Sequence, residues 1–219
     1  MADTRGVLWD MDGVLIDTVE YHFEAWKEIL HGCGKQLTRE EFTPAIGKNN
    51  DETLRMLLSD WDRIDRPEDL FIEKELAFCG SIRGRAQLLP GVEWWLRCLQ
   101  DSDIPQAIAS SAPIGNVDVL VDELKIRDYF LEICSGSGLP SKPHPAVFYE
   151  AARLIDVEPK NCVVIEESRV GVKAAKRAAM RCIAVTNSYP AEELNEADLV
   201  VDSLETLTLE DLLPQRTRC

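Results

Sequence analysis

Leu8-Trp9-Asp10-Met11-Asp12-Gly13-Val14 ends a short apolar run, Gly6 to Asp10, in two carboxylates and a glycine. An apolar run of this length that stops at a turn reads as a buried strand. Asp10 is delivered at its carboxyl end, and Asp12 follows two residues later. Carboxylates held close together raise the cost of each other's charge, so the pair requires a cation, a shared proton or open solvent. An ordinary Asp-Gly turn at the end of a strand accounts for the same residues without any chemistry. A calcium loop fits poorly, because Val14 and Leu15 stand where that motif places an oxygen ligand and a glycine.

Five further β-type runs lie downstream: Pro105 to Ser110, Glu132 to Ser135, Cys162 to Glu166, Arg181 to Thr186 and Asp198 to Val201. Helical patterns follow several of them or precede the next, at Val92 to Gln100, Gly115 to Leu124, Ala146 to Ile155 and Val170 to Ala179. This alternation predicts the α/β class, with a doubly wound, Rossmann-like parallel sheet. The interval from Leu15 to Leu88 breaks the pattern: it holds no clear strand but several helical stretches, including Val19 to His31 and Asp51 to Trp61. A simple crossover is far shorter, so residues 15–88 are expected to form an inserted helical subdomain. Residues 1–14 and 89–219 then form the α/β core, with Leu89-Pro90-Gly91 marking the return and Pro214 to Cys219 expected to fray.

Composition narrows the function. At 219 residues and 45% hydrophobic content the chain can bury a sizeable core. A net charge of −15 repels the nucleic-acid backbone and offers no basic patch to an anionic membrane, so neither is an expected partner. No apolar run reaches the roughly 18 to 20 residues of a membrane-spanning helix. Met1 to Asp10 turns acidic too soon for a secretory segment, and the seven cysteines include no C-x-x-C pair. A cytoplasmic protein with reduced thiols is expected, and Cys134, Cys162 and Cys182 in apolar runs read as small core hydrophobes.

Open α/β sheets bind ligands at the carboxyl ends of their strands, and the other runs end in suggestive residues. Ser110 and Ser111 close the second run, where hydroxyl and amide groups could hold a phosphate or merely cap a helix. Lys142, in Ser141-Lys142-Pro143-His144-Pro145, is either a fixed charge for phosphate or a solvated surface lysine. Glu166 and Glu167 end the fourth run and suit Mg²⁺, which takes hard oxygen ligands; a helix start favours the same charge. A carboxylate pair, a hydroxyl, a lysine and a second carboxylate pair together form the set that phosphoryl transfer needs.

In this order the residues resemble the four signature motifs of the haloacid dehalogenase superfamily: Asp10-Met11-Asp12-Gly13-Val14, Ser110, Lys142-Pro143 and Glu166-Glu167. The helical insertion after the first motif looks like the small cap of the β-phosphoglucomutase-like phosphatases. The resemblance implies that Asp10 is the nucleophile and Asp12 the acid/base, with phosphate bound by Ser110, Ser111 and Lys142. It implies Mg²⁺ at Asp10, Asp12, Glu166 and Glu167. Dehalogenases and phosphonate-cleaving relatives lack the second aspartate, so Asp12 implies phosphate esters of small metabolites as substrates. Two departures stand out. Glu167 occupies a position where such relatives commonly carry Asp. The arginine and the Ser-Lys pair by which the family's sugar-phosphate mutases hold a second phosphate give way here to Gly47-Lys48-Asn49-Asn50 and Ala112-Pro113. His22, Lys48 and Asn50 are candidate substrate contacts in the cap. Hydrolysis is expected, with a phosphosugar mutase or a non-catalytic phosphometabolite-binding module as alternatives; the oligomeric state is open.

Overall fold

Burial on both faces explains why β1 (Gly6–Trp9) reads as an unbroken apolar run: its four residues are all buried, and it is paired on both edges. Leu8 lies opposite Ala107 of β2 (Gln106–Ser110) and opposite Val164 of β4 (Cys162–Glu166). With β3 (Glu132–Ser135), β5 (Arg181–Val185) and β6 (Leu199–Val201), the sheet runs in the order β3-β2-β1-β4-β5-β6, every pairing parallel. The strand order reverses at β1 and β4, where such sheets place their ligands. The computed structural model describes residues 5–46, 50–58 and 66–213.

The contacts divide the chain into two units, one comprising the residues up to Asp17 together with those from Gln87 onward, the other Thr18–Ala86. The second unit is helical: α1 (Val19–Gly32), α2 (Arg39–Phe42), α3 (Asn50–Leu57) and α4 (Pro67–Ile82). Its core gathers Phe23, Trp26, Leu30, Phe42, Leu54 and Leu57. The end of the helix expected to reach Trp61, and the tail from Pro214, lie outside the described residues.

In the sheet unit, α5 (Val92–Asp101), α6 (Ile114–Glu123), α7 (Ala146–Leu154) and α8 (Arg169–Arg177) supply the crossovers, and α9 (Leu209–Leu212) follows β6. Leu8, Val164 and Cys182 of the sheet share one buried cluster with Phe148 of α7 and Val172 of α8. A polar clasp also ties β1 to β2 and to α5. The Trp9 indole donates to Gln106 Oε1 at 3.0 Å, and Gln106 Nε2 donates to the Leu96 carbonyl at 2.9 Å, so these buried groups satisfy one another. Among the described residues no helix is long and apolar enough to cross a membrane.

Helix ends depart from the sequence expectation for a definite reason. The pattern carries the last crossover helix through Ala179, but α8 stops at Arg177 because Ala179 takes a left-handed φ of 57°. There its amide donates to the Lys176 carbonyl and that of Met180 to the Ala175 carbonyl, closing the helix. An L-residue in this conformation costs about 1–2 kcal/mol, which glycine avoids. Ala179→Gly is therefore expected to stabilise the protein by about 1 kcal/mol, raising its melting temperature by about 2–4 °C in a thermal scan.

Candidate active site

Pairing continues one residue past β1: the Asp10 amide donates to the Ile165 carbonyl at 3.0 Å, which aligns Asp10 beside the end of β4. The chain then turns tightly. The amides of Leu15 and Ile16 reach back to the Met11 carbonyl at 3.0 and 3.3 Å, and Gly13 adopts a φ of +78°. A Cβ on Gly13 would stand 2.6 Å from Glu167 Cγ, so glycine is required here both for the turn and for the passage of that side chain. Asn187, just past β5, donates to the Gly13 carbonyl at 2.8 Å and fastens the turn that carries the half-buried Asp12.

At the end of β4 the Glu166 side chain folds back onto the start of α8. Its Oε2 accepts from the amides of Glu167 and Ser168, both at 2.9 Å, and from the Ser168 hydroxyl at 3.0 Å. Its Oε1 accepts from Lys142 Nζ at 2.7 Å, and the same ammonium donates to Asp10 Oδ1 at 2.6 Å. Lys142 also lies over the Phe148 ring, 4.8 Å from its centroid. None of the three charged side chains is more than 9% exposed. The lysine expected either at phosphate or at the surface is thus buried between two carboxylates.

Glu167 completes the group. Oxygens of Asp10, Glu166 and Glu167 lie within 4.8 Å of one another, and Glu167 Oε2 is buried without a hydrogen-bond partner. Burial raises the Asp10 carboxyl to about 7 against the opposing pull of Lys142. Burial, then the charges of Glu166 and Asp10, push Glu167 well above the usual carboxylate range. Glu166 goes the other way: burial disfavours its charge, but Lys142 and the donors at the start of α8 outweigh it. Burial likewise opposes the charge on Lys142, and Asp10 and Glu166 overcome it, so its pKa is raised. One ammonium thus faces three buried carboxylates, one of them with an orphaned oxygen. A small divalent cation with a preference for oxygen ligands fits this set.

The remaining expected residues fall into two places. Ser110 closes β2, one strand over from β1; its buried Oγ accepts from the Ala112 amide at 3.0 Å, which leaves the hydroxyl hydrogen to donate elsewhere. Ser111 is exposed beside it. His22 and Asn50 belong to a network inside the helical unit, and Lys48 lies outside the described residues. His22 stacks on Phe78 with 4.1 Å between ring centroids, and its Nδ1 stands 3.1 Å from Lys74 Nζ. Burial and Lys74 hold the imidazole pKa well below its usual value, so the neutral ring accepts at Nδ1. Glu75 Oε1 takes hydrogen bonds from Lys74 at 3.1 Å and Asn50 at 2.7 Å.

The arrangement matches a known group of proteins. The pattern of the haloacid dehalogenase-like hydrolases fits residues 7–185. The chain belongs to that family. Within it, similarity runs to the β-phosphoglucomutase-like members: a β-phosphoglucomutase of Bacillus subtilis is 31% identical over 94% of this chain and 92% of its own. Hexitol phosphatase B of Escherichia coli is 30% identical over 97% of this chain and 100% of its own. Among solved structures, CbbY from Rhodobacter sphaeroides in complex with phosphate superposes with a TM-score of 0.86 at 28% identity, covering 95% of this chain and 99% of that one.

Two polar residues of this haloacid dehalogenase-like chain escape a reading by motif. Lys74, 2% exposed, lies in α4 at the same spacing as the buried Phe78 and Ile82, and a cation in register with a core stripe is the signal that marks it. Asn187 follows β5 and so occupies a strand end like the others, but an asparagine in a loop carries no further sign of its hydrogen bond to Gly13. The thiols of Cys134 and Cys162 are raised by burial to about 11 and about 12, which keeps them protonated, as their apolar surroundings imply.

Proposed function

We propose that this protein is a Mg²⁺-dependent phosphatase that hydrolyses a small organic phosphate monoester, a sugar phosphate or a similar metabolite, through a phosphorylated Asp10. The observation that carries the proposal is the buried triad of carboxylates around Lys142, with Glu167 Oε2 lacking any partner. An enzyme of phosphate monoesters is what the family supplies, and single residues take the following proposed roles.

In that reading Asp10 attacks phosphorus in line with the ester oxygen, forming an aspartyl-phosphate as the P–O bond to the alcohol breaks. Asp12 gives its proton to the departing oxygen. It then takes one from the water that attacks the aspartyl-phosphate, which returns Asp10 and releases inorganic phosphate. Lys142 has three N–H donors, of which Asp10 and Glu166 take two, so one is available to a phosphoryl oxygen. The Ser110 hydroxyl supplies another donor at the neighbouring strand end. Mg²⁺ would be held by the carboxylates of Asp10 and Glu167 and the backbone carbonyl of Asp12, with Glu166 beside them, and when bound it would supply positive charge against the phosphoryl group.

Hydrolysis is proposed over isomerisation because the segment after Ser110 and Ser111 runs Ala112-Pro113-Ile114 and brings no cation for a second phosphate. A panel of phosphorylated metabolites incubated with Mg²⁺, scored for inorganic phosphate and for isomers, tests the choice. Phosphate release supports a phosphatase, whereas isomer formation dependent on a bisphosphate replaces it with a mutase. Metal binding has a separate readout. At a hundredfold excess over its Kd, Mg²⁺ is expected to stabilise the folded chain by about 2.7 kcal/mol. An unchanged melting temperature on adding Mg²⁺ to chelator-treated protein would contradict the assigned site.

A further inference from the structure

Gly171 is out of place by its helix propensity. It is buried inside α8, where glycine weakens a helix relative to alanine, and its backbone has no left-handed angle that would call for it. A glycine in such a position has a packing reason. The reason is specific: a Cβ built on Gly171 would overlap the Cδ and both oxygens of Glu166. No rotation of a nearby flexible chain can relieve that overlap, because the carboxylate is already fixed. It is wholly buried and held by the amides of Glu167 and Ser168, the Ser168 hydroxyl and the Lys142 ammonium. The Gly171 amide itself donates to Ser168 Oγ at 3.1 Å, so the same turn of helix that needs the glycine also supports one of the groups holding Glu166.

We propose that Gly171 is a positioning residue of the active centre: its bare Cα provides the volume that seats the Glu166 carboxylate, and through Glu166 it sets where Lys142 and Asp10 stand. Displacing Glu166 releases one of the two partners of Lys142. The ammonium then pairs wholly with Asp10 and competes there with any divalent cation for the same carboxylate oxygens. Glycine at residue 171 thus serves the geometry of the charged cluster, against the preference of its helix. Only the effect on turnover rests on the phosphatase reading.

The test is a set of full-length variants measured by Mg²⁺ calorimetry, with the metal alone as probe, and by phosphate release from p-nitrophenyl phosphate and a metabolite panel. Gly171→Ala is expected to weaken Mg²⁺ binding about tenfold and to lower turnover by about 10²-fold, the cost of a small misplacement at a reacting centre. Glu166→Asp retracts the carboxylate by one methylene. In the Gly171→Ala background it is expected to recover about threefold of the roughly tenfold lost Mg²⁺ affinity, although alone it impairs the wild type. Gly115→Ala, in α6 with nothing within 4 Å of the added methyl, is the control and should change neither readout.

Should Gly171→Ala fail to fold, Glu166→Ala/Gly171→Ala must fold as well as Glu166→Ala, because the overlapping groups are gone. Wild-type Mg²⁺ affinity and turnover in Gly171→Ala overturn the proposal, as does a double variant with Glu166→Asp no better than Gly171→Ala alone. If no ester is turned over by the wild type, the phosphatase reading fails, and the Mg²⁺ calorimetry still decides the role of Gly171.

Discussion

Asp10→Asn is expected to abolish phosphate release, lowering turnover on the order of 10⁴-fold or more while the chain stays folded. The amide keeps the shape of the carboxylate and an oxygen to accept from Lys142 Nζ, so the contact now 2.6 Å long can persist. What is lost, on the proposed mechanism, is a nucleophilic oxygen able to carry a phosphoryl group. Stability should not suffer, because Asp10 is buried in competition with Glu166 and Glu167, and removing its charge relieves that repulsion. Phosphate release, melting temperature and mass spectrometry of the Asp10 peptide after brief exposure to substrate together check the claim. Full activity in the variant, or phosphate attached to another residue in the wild type, would remove Asp10 from the nucleophile's role.

Lys142→Ala should be the most damaging change to stability. It removes the ammonium that offsets Asp10 and Glu166 at 2.6 and 2.7 Å and leaves three carboxylates in a buried place. Breaking a buried ion pair from one side costs about 3–5 kcal/mol, which for a chain of this size lowers the melting temperature by roughly 6–20 °C. Because a divalent cation offsets the same carboxylates, added Mg²⁺ should restore part of the loss and raise the variant's melting temperature more than the wild type's. Lys142→Arg is not expected to substitute, since the lysine side chain is 6% exposed and a planar guanidinium needs more room. A thermal scan with and without Mg²⁺ decides the matter. A loss below about 1 kcal/mol would place Lys142 among surface ion pairs instead.

The sequence made one part of this centre plain and left another part dark, for physical reasons. Strand ends are legible because an apolar run that stops at a polar residue has one reading in a buried parallel sheet, and that logic reached Asp10, Ser110 and Glu166. Lys142 was visible as a candidate only through its prolines and its place after β3; its burial between two carboxylates depends on contacts 132 and 24 residues away in sequence. Neighbour relations in the sheet were not legible at all, since periodicity states that a strand is buried and not which strands flank it. Lys74 and Gly171 run against local preference, a cation in a core stripe and a glycine in a helix. Such conflicts between levels point to function or close packing, but only the fold reveals the partner that resolves each one. Ala179 is the opposite case: the strongest helix former marks no end, and only its backbone angle does.

The seating of β1 has a consequence for how the protein comes to fold. Its Gly6 pairs with Cys162 and its Val7 with Gln106, so neither flanking strand exists until well after β1 has left the ribosome. Contacts this remote close large loops before they are rewarded, which slows folding and exposes apolar strands meanwhile. The helical unit, drawn from Thr18–Ala86 alone, has no such wait. The strand bearing Asp10 is therefore synthesised ahead of both strands that enclose it, and the Asp10 carboxylate can be buried only once β4 has been made.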